Sequence, residues 1–191
     1  MLFDNRAGVT LALEHLKTLG HRRVAVLTPT DASTQERPAE VHVTGEAKRL
    51  GLEVSIVASP HGLADASQVA REVMSRRPRP TAVFCFSDSI AYGAYAAAHA
   101  LGLSIPEDVS ICGYDNHPLS TLLSPPLTSV DWDTDSIVRD AVRLVLAAAD
   151  GTQRRKRVIK APTLFPRAST SRPPSYARAL RLKAEPRPAD A

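Results

Sequence analysis

The chain has 191 residues, of which 43% are hydrophobic, so it can bury one full core, but it has no apolar run near the ~20 residues of a membrane span. Its net charge of +4 is unevenly distributed, because residues 1–152 hold 13 Lys and Arg against 18 Asp and Glu, whereas residues 153–191 hold 11 against 2. The acidic part lacks the basic surface of a nucleic-acid-binding domain, the basic part is expected to be a solvated tail, and the start lacks a secretory signal, so we expect a cytoplasmic protein.

Helical and extended patterns alternate over the first two thirds of the chain. Val9, Leu13 and Leu16 recur at helical spacing before Gly20, and a β-branched apolar run follows at once. The same alternation continues, which predicts helices over 6–19, 39–50, 66–74 and 90–101 and strands over 23–27, 52–57, 81–86 and 109–113. Strands separated by helices favour right-handed crossovers, so we predict an α/β fold with a parallel sheet covered on both faces.

The pattern changes after Asp115. Residues 119–126 are irregular, and a short strand over 127–130 is followed by a helix over 134–149. Residues 158–160 and 163–165 read as edge strands on either side of a proline. From Ser171 onward the chain is rich in Pro, Arg and Ala, and we expect it to be disordered.

Polar side chains follow several of the predicted strands. Ser87 and Asp88 come after one strand and Asp115 after another, while Arg37 and His61 lie in the loops after the first two strands. Ligands of open parallel sheets bind beyond the carboxyl ends of the strands, where such loops converge. Carboxylates, a hydroxyl and a guanidinium would suit a hydroxyl-rich ligand.

Each of these residues also has an ordinary structural interpretation. Asp88 could equally cap the helix that follows it, as Asn5 could cap the first helix. Arg37 could be a solvated surface charge and His61 a simple loop histidine. Asp115 has no helix starting directly after it, which favours a role in a site.

Motifs of catalysis and of metal binding do not occur in the sequence. It has no phosphate-binding glycine loop and no G-x-S-x-G nucleophile elbow. Cys85 and Cys112 lie in apolar runs and are expected to be buried free thiols. The six histidines, at positions 15, 21, 42, 61, 99 and 117, do not pair at metal-ligand spacing. We therefore expect a protein that is not an enzyme and that needs no cofactor or metal.

Five blocks of the sequence form a recognisable series, and the most distinctive is the stretch that ends in Gly113-Tyr114-Asp115-Asn116. The blocks are residues 4–25, 80–93, 102–116, 126–130 and 164–170. In this order they resemble the LacI/GalR family of bacterial transcription regulators, and the likeness covers about residues 3–170.

This resemblance implies a type I periplasmic-binding-protein-like fold, a three-layer sandwich in which two lobes enclose a small effector such as a sugar. It also implies a homodimer whose affinity for operator DNA changes when the effector binds. The ligand-binding residues that it implies are Asp115, Ser87, Asp88, Arg37, Asp4 from the other lobe, and, near a position that often stacks an aromatic ring, His61.

Compared with the family pattern, we expect this chain to lack the N-terminal helix-turn-helix and most of the first lobe. We expect residues 1–20 and 131–152 to be remnants of the N-terminal lobe, with exposed apolar helix faces, residues 21–130 and 158–170 to form the C-terminal lobe, and residues 171–191 to be a disordered basic tail. A small-solute-binding module without a DNA role is the alternative function, and an enzyme is the less favoured one.

Overall fold

Helices and strands alternate in the computed structural model, which describes residues 2–29, 38–149 and 159–174. The strands are β1 (Leu2–Phe3), β2 (Arg23–Pro29), β3 (Glu53–Ser59), β4 (Ala82–Cys85), β5 (Ser110–Tyr114), β6 (Thr128–Asp131), β7 (Ile159–Lys160) and β8 (Thr163–Phe165). The helices are α1 (Asn5–Thr18), α2 (Pro38–Leu50), α3 (Leu63–Ser75), α4 (Asp88–Ala100) and α5 (Thr134–Ala149), with a 3₁₀ turn at Pro118–Thr121. Among the described residues, no helix has the length and apolar character needed to cross a bilayer.

Six of the strands form one sheet in the order β3-β2-β4-β5-β6-β8. The first five are parallel, and β8 joins the edge antiparallel to β6. The predicted parallel α/β class is therefore confirmed. The strand β1 was not predicted, because two residues carry no alternation pattern, and it pairs with β7 in a separate two-stranded sheet.

Apolar side chains cover both faces of the six-stranded sheet. One core lies between the sheet and the pair α3 and α4, and it contains Cys85; the other lies under α1 and contains Phe84 and Cys112. Both cysteines are buried and free, as predicted. Two layers of helices around one sheet give the expected sandwich.

Helix α1 packs against the six-stranded sheet, although the sequence analysis expected its apolar face to be exposed. Its residues Val9, Leu13 and Leu16 are fully buried in the same core as Val24 and Val26 of β2. The apolar stripe of α1 is therefore covered by the second face of the sheet, and its predicted exposure is wrong.

Helix α5 behaves as the sequence predicts. None of its residues is buried, and Val138, Val142, Val145 and Leu146 are all more than half exposed. That residues 131–152, which include α5, belong to the N-terminal lobe, and residues 158–170, which include β7, to the C-terminal lobe, remains a prediction.

Residues 171–174 are ordered against the sheet, so the expected disorder is wrong for them. The Ser171 N–H donates to Ser110 Oγ at 3.0 Å, and the buried His21 ring contacts the Ser171 carbonyl through Nε2 at 2.9 Å. The segment has little apolar clustering, and polar contacts with His21 and Ser110 hold it against the sheet instead. The remainder of the predicted tail, residues 175–191, lies outside the described residues.

Glycine at position 93 allows α3 and α4 to pack closely. A Cβ built at Gly93 would lie 2.6 Å from Ala66 Cβ and 2.8 Å from two backbone atoms of α3. Gly93→Ala is expected to lower the free energy of unfolding by about 1–3 kcal/mol, because one helix must move. Denaturant unfolding measures this change.

The matched control is Gly45→Ala, at an exposed glycine of α2 where an added Cβ has no atom within 4 Å. This variant should be more stable than the wild type by about 0.5–1 kcal/mol, since alanine favours helix. Equal effects of the two substitutions would contradict close packing at Gly93.

Candidate functional site

The candidate site lies at the carboxyl edge of the sheet. Because β4, β5 and β6 are parallel neighbours, the residues that follow them meet at this edge. Ser87 follows β4, Asp115 follows β5, and Trp132 follows β6. Three segments that are distant in sequence thus place polar and aromatic groups side by side.

Ser87 connects three of these groups by hydrogen bonds. It is the N-cap of α4, and its hydroxyl oxygen accepts from the Ser89 N–H at 3.2 Å and lies 2.8 Å from Ser89 Oγ. Ser89 Oγ in turn lies 3.1 Å from Nδ1 of the exposed His61. The Ser87 hydroxyl also hydrogen-bonds to the Asp115 carboxylate. The structure therefore brings His61, Ser87 and Asp115 together through Ser89, a residue the sequence did not single out.

Asp115 occupies an unusual environment for a carboxylate. Burial raises its pKa to about 6, and the nearby charge of Asp88 acts in the same direction. Hydrogen bonds from the Ser87 hydroxyl and the Asp88 backbone, together with the Trp132 side chain, oppose this rise. Its φ of 114° lies in a region that non-glycine residues rarely adopt. A partly desolvated, strained carboxylate of this kind is characteristic of functional sites.

Asp88 has a supporting position, and the cap that the sequence had offered to it is formed by Ser87. The helix cap is Ser87, and Asp88 is the first helical residue, only 1% exposed. Its carboxylate accepts hydrogen bonds from Ser120 Oγ at 2.6 Å, Ser129 Oγ at 2.7 Å and the His117 N–H at 2.8 Å. Burial raises the pKa of Asp88, and these donors oppose the rise. Both oxygens thus accept hydrogen bonds from groups of the protein itself.

Asp4 caps helix α1, a role that the sequence had offered to Asn5. Its Oδ1 accepts from the Ala7 N–H at 2.9 Å. Asp4 is also close enough to Tyr114 to influence it: burial first, then the charges of Asp115 and Asp4, raise the pKa of Tyr114 to about 12. Asp4 therefore lies on the side of the site formed by the start of α1.

Aromatic rings line the same edge. Tyr114 stacks on Phe86 at 5.7 Å between ring centroids and meets the edge of Trp132 at 5.8 Å. The Tyr114 hydroxyl lies so close to Gly8 that any Cβ at position 8 would collide with it. The sequence analysis missed Trp132, although the same signal, a residue directly after a parallel strand, identifies it.

The sequence analysis also named Arg37 as a ligand-binding residue and expected no metal site. Arg37 lies outside the described residues. Within the described ranges, no cluster of three or more His, Cys, Asp or Glu side chains could hold a metal ion. The groups assembled at the edge are hydrogen-bonding and aromatic, and they suit a small ligand that carries hydroxyl groups.

Comparison with known proteins relates most of the chain to one domain family. The periplasmic binding protein-like domain matches residues 13–170. The HTH-type transcriptional regulator MalR of Streptomyces coelicolor is 36% identical over 178 residues, which are 90% of this chain and 52% of that protein. The Ribose operon repressor of Haemophilus influenzae is 33% identical over 76% of this chain and 45% of its own length. The PurR repressor of Vibrio vulnificus is 33% identical over 83% and 49%.

The chain thus spans about half the length of the curated relatives it matches. Several solved structures have the same fold. A LacI family transcriptional regulator from Bifidobacterium animalis aligns with a TM-score of 0.85 at 23% identity, over 91% of this chain and 64% of that one. A dimeric Lac repressor aligns with a TM-score of 0.82 at 25% identity, over 90% of this chain and 64% of that chain. A LacI family regulator from Arthrobacter, in complex with lactose, aligns with 0.79 at 24% identity, over 88% and 65%.

Asp88 is expected to contribute strongly to the stability of the fold. Asp88→Ala leaves the hydroxyls of Ser120 and Ser129 and one backbone N–H without their acceptor, and should lower the free energy of unfolding by about 3 kcal/mol. The control Asp65→Ala removes an exposed carboxylate from the first turn of α3 and should cost roughly 0.5 kcal/mol. Urea unfolding of both variants makes the comparison, and a mild effect of Asp88→Ala would contradict its supporting role.

Asp115 is expected to destabilise the folded chain at neutral pH. Its folded pKa of about 6 exceeds the ordinary 3.8, so its protonated form favours folding. That contribution is complete below pH ~4 and is lost as the pH rises through about 6. At pH ~7, Asp115→Asn should therefore be more stable than the wild type by about 1–2 kcal/mol, less than the full pKa shift implies because the group is partly exposed.

The measurement is thermal or urea unfolding of the wild type and Asp115→Asn across this pH range. The two stability curves should converge below pH ~4. A difference that is the same at both ends of the range would show that the substitution acts through packing and not through ionisation.

Proposed function

Because the chain belongs to the periplasmic binding protein-like domain family, in the form carried by LacI/GalR-type transcriptional regulators, we propose that it binds a small effector at the carboxyl edge of its sheet. The effector is a sugar or a related hydroxyl-rich molecule. The observation that carries this proposal is the partly buried Asp115 carboxylate, joined by hydrogen bonds through Ser87 and Ser89 to His61.

The chemistry of these groups fits a polyhydroxylated ligand. With a pKa of about 6, Asp115 is mainly ionised at neutral pH and can accept hydrogen bonds from two adjacent hydroxyls. The hydroxyls of Ser87 and Ser89 can each donate or accept, so they adapt to different sugar hydroxyls. The ring of Trp132 can cover the apolar C–H face of a sugar.

Other residues take secondary roles in this proposal. Asp4 approaches the ligand from the start of α1, and Arg37, which lies between β2 and α2 in the sequence, supplies a guanidinium. Asp88 supports the Ser87 and Asp115 segments without contacting the ligand, because its oxygens are occupied by internal donors. The role is binding and not catalysis, in keeping with relatives that are regulators.

In the whole regulator, the effector would act on DNA binding through closure of two lobes. Ligand that contacts both lobes favours the closed state, and closure changes the relative orientation of DNA-reading heads in a homodimer. Operator DNA would be contacted by a helix-turn-helix domain outside the residues described here. Such a regulator would work in the cytoplasm.

Ligand binding can be measured by the fluorescence of Trp132, the single tryptophan of the chain. Ribose and lactose, the sugars named for two relatives, lead a panel of pentoses, hexoses and disaccharides. At least one sugar should change the emission saturably, and Asp115→Ala should weaken its binding by about 10-fold or more, because charge-assisted hydrogen bonds are lost.

Asp65→Ala, with its exposed carboxylate on α3, is the matched control and should bind as the wild type does. Full affinity in Asp115→Ala would refute the site, and a wild-type chain that binds no member of the panel would refute the proposed ligand class.

A further inference from the structure

The turn that presents Asp115 has a conformation that needs external support. Asp115 and Asn116 are consecutive non-glycine residues with positive φ, 114° and 50°. Positive φ is uncommon outside glycine, and although asparagine tolerates the value at Asn116, the value at Asp115 lies outside the left-handed helical region and needs support from its surroundings. The contacts around these two residues therefore determine where the Asp115 carboxylate lies.

Three successive backbone N–H groups of this turn have partners. The Asp115 N–H donates to the Val130 carbonyl at 2.8 Å, and the Asn116 N–H donates to Ser129 Oγ at 3.1 Å. The next N–H, that of His117, donates to Asp88. These bonds hold the backbone of the turn against β6 and α4.

The Asn116 side chain adds a bridge between two other segments. Its Nδ2 donates to Asp131 Oδ2 at 3.1 Å, and its Oδ1 accepts from Arg167 Nη2 at 2.5 Å. Arg167 is itself fixed, because its Nη1 donates to the Leu127 carbonyl at 2.6 Å. The amide nitrogen thus donates to a carboxylate, and the amide oxygen accepts from a guanidinium. Rotating the amide by 180° would place its oxygen against the carboxylate and its NH₂ group against the guanidinium.

We propose that Asn116 is a positioning residue for effector binding: clamped between Arg167 and Asp131, it holds the strained turn that aims Asp115 at the ligand. This inference rests on the proposed function and extends it, since Asn116, Asp131 and Arg167 act through Asp115 without touching the effector. Arg167 follows β8 and Asp131 ends β6, so the clamp joins two strands to the site.

The clamp also reaches the segment that leaves the sheet toward α5. Asp131 Oδ1 accepts from the Asp133 N–H at 2.7 Å, while its Oδ2 accepts from Asn116. One carboxylate therefore connects the Asp115 turn with the connection into α5. A movement of the Asp115 turn would therefore be transmitted to the connection into α5 through these two hydrogen bonds, and the reverse also holds.

The test uses Asn116→Gly, because glycine tolerates positive φ and so removes the clamp without adding backbone strain. The protein is titrated with acid, and the protonation of Asp115 is followed through the ¹³C NMR resonance of its carboxyl group. In the wild type the midpoint is expected at about 6. In Asn116→Gly it should fall by about one pH unit, toward the ordinary aspartate value, as Asp115 gains access to solvent.

Arg167→Met should lower the midpoint in the same way, and Arg167→Lys should lower it less, because lysine can still donate to one of the two oxygens. Arg172→Met, at an exposed arginine five residues further along, is the matched control and should leave the midpoint unchanged. Thermal unfolding of each variant distinguishes a local change from general loss of structure.

An Asp115 midpoint that stays at its wild-type value in both folded variants, Asn116→Gly and Arg167→Met, would overturn the inference. A lowered midpoint, together with weaker ribose or lactose binding in the same variants, would support it. If the wild type binds no sugar, the proposed function fails, but the titration still decides whether Asn116 positions Asp115.

Discussion

The buried carboxylate of Asp88 is the constraint on which the carboxyl edge of the sheet depends. A charge with almost no solvent contact is costly unless donors surround it, and here two hydroxyls and backbone N–H groups supply them. Those donors come from the segment after β5, the 3₁₀ turn and β6, so satisfying one carboxylate brings three segments together. Gly113 beside it has no room for a side chain, because a Cβ there would collide with the Asp88 carboxylate.

The candidate site is built on this support and is less stable than its surroundings. Ser87 caps α4 one residue before Asp88, and Asp115 ends up partly desolvated, at positive φ and close to a second carboxylate. The desolvation of Asp115, its positive φ and the nearby carboxylate oppose folding, and hydroxyl donors from a ligand would offset the desolvation. A site that is unfavourable when empty binds a matching ligand more strongly, which is consistent with an effector-binding role.

The sequence predicted most of the fold because alternating helices and strands restrict the topology to very few arrangements. It also predicted that Ser87 and Asp115 would meet, since both follow parallel strands. It could not predict the internal hydrogen bonds of the Asp88 carboxylate, because their donors include Ser120 and Ser129, more than thirty residues away in the chain. The packing of α1 was mispredicted for a related reason: a helical stripe shows that a face is buried, but not which sheet covers it.

The most direct test of the central claim is to map ligand binding residue by residue, with ¹H–¹⁵N NMR spectra of the labelled chain recorded during titration with ribose and lactose. An effector site at the carboxyl edge predicts that shifted resonances cluster at Ser87, Ser89, Asp115 and the Trp132 indole, while Arg23, at the opposite end of β2, stays unchanged. Saturable shifts that cluster away from this edge would contradict the account, and so would spectra that neither sugar alters.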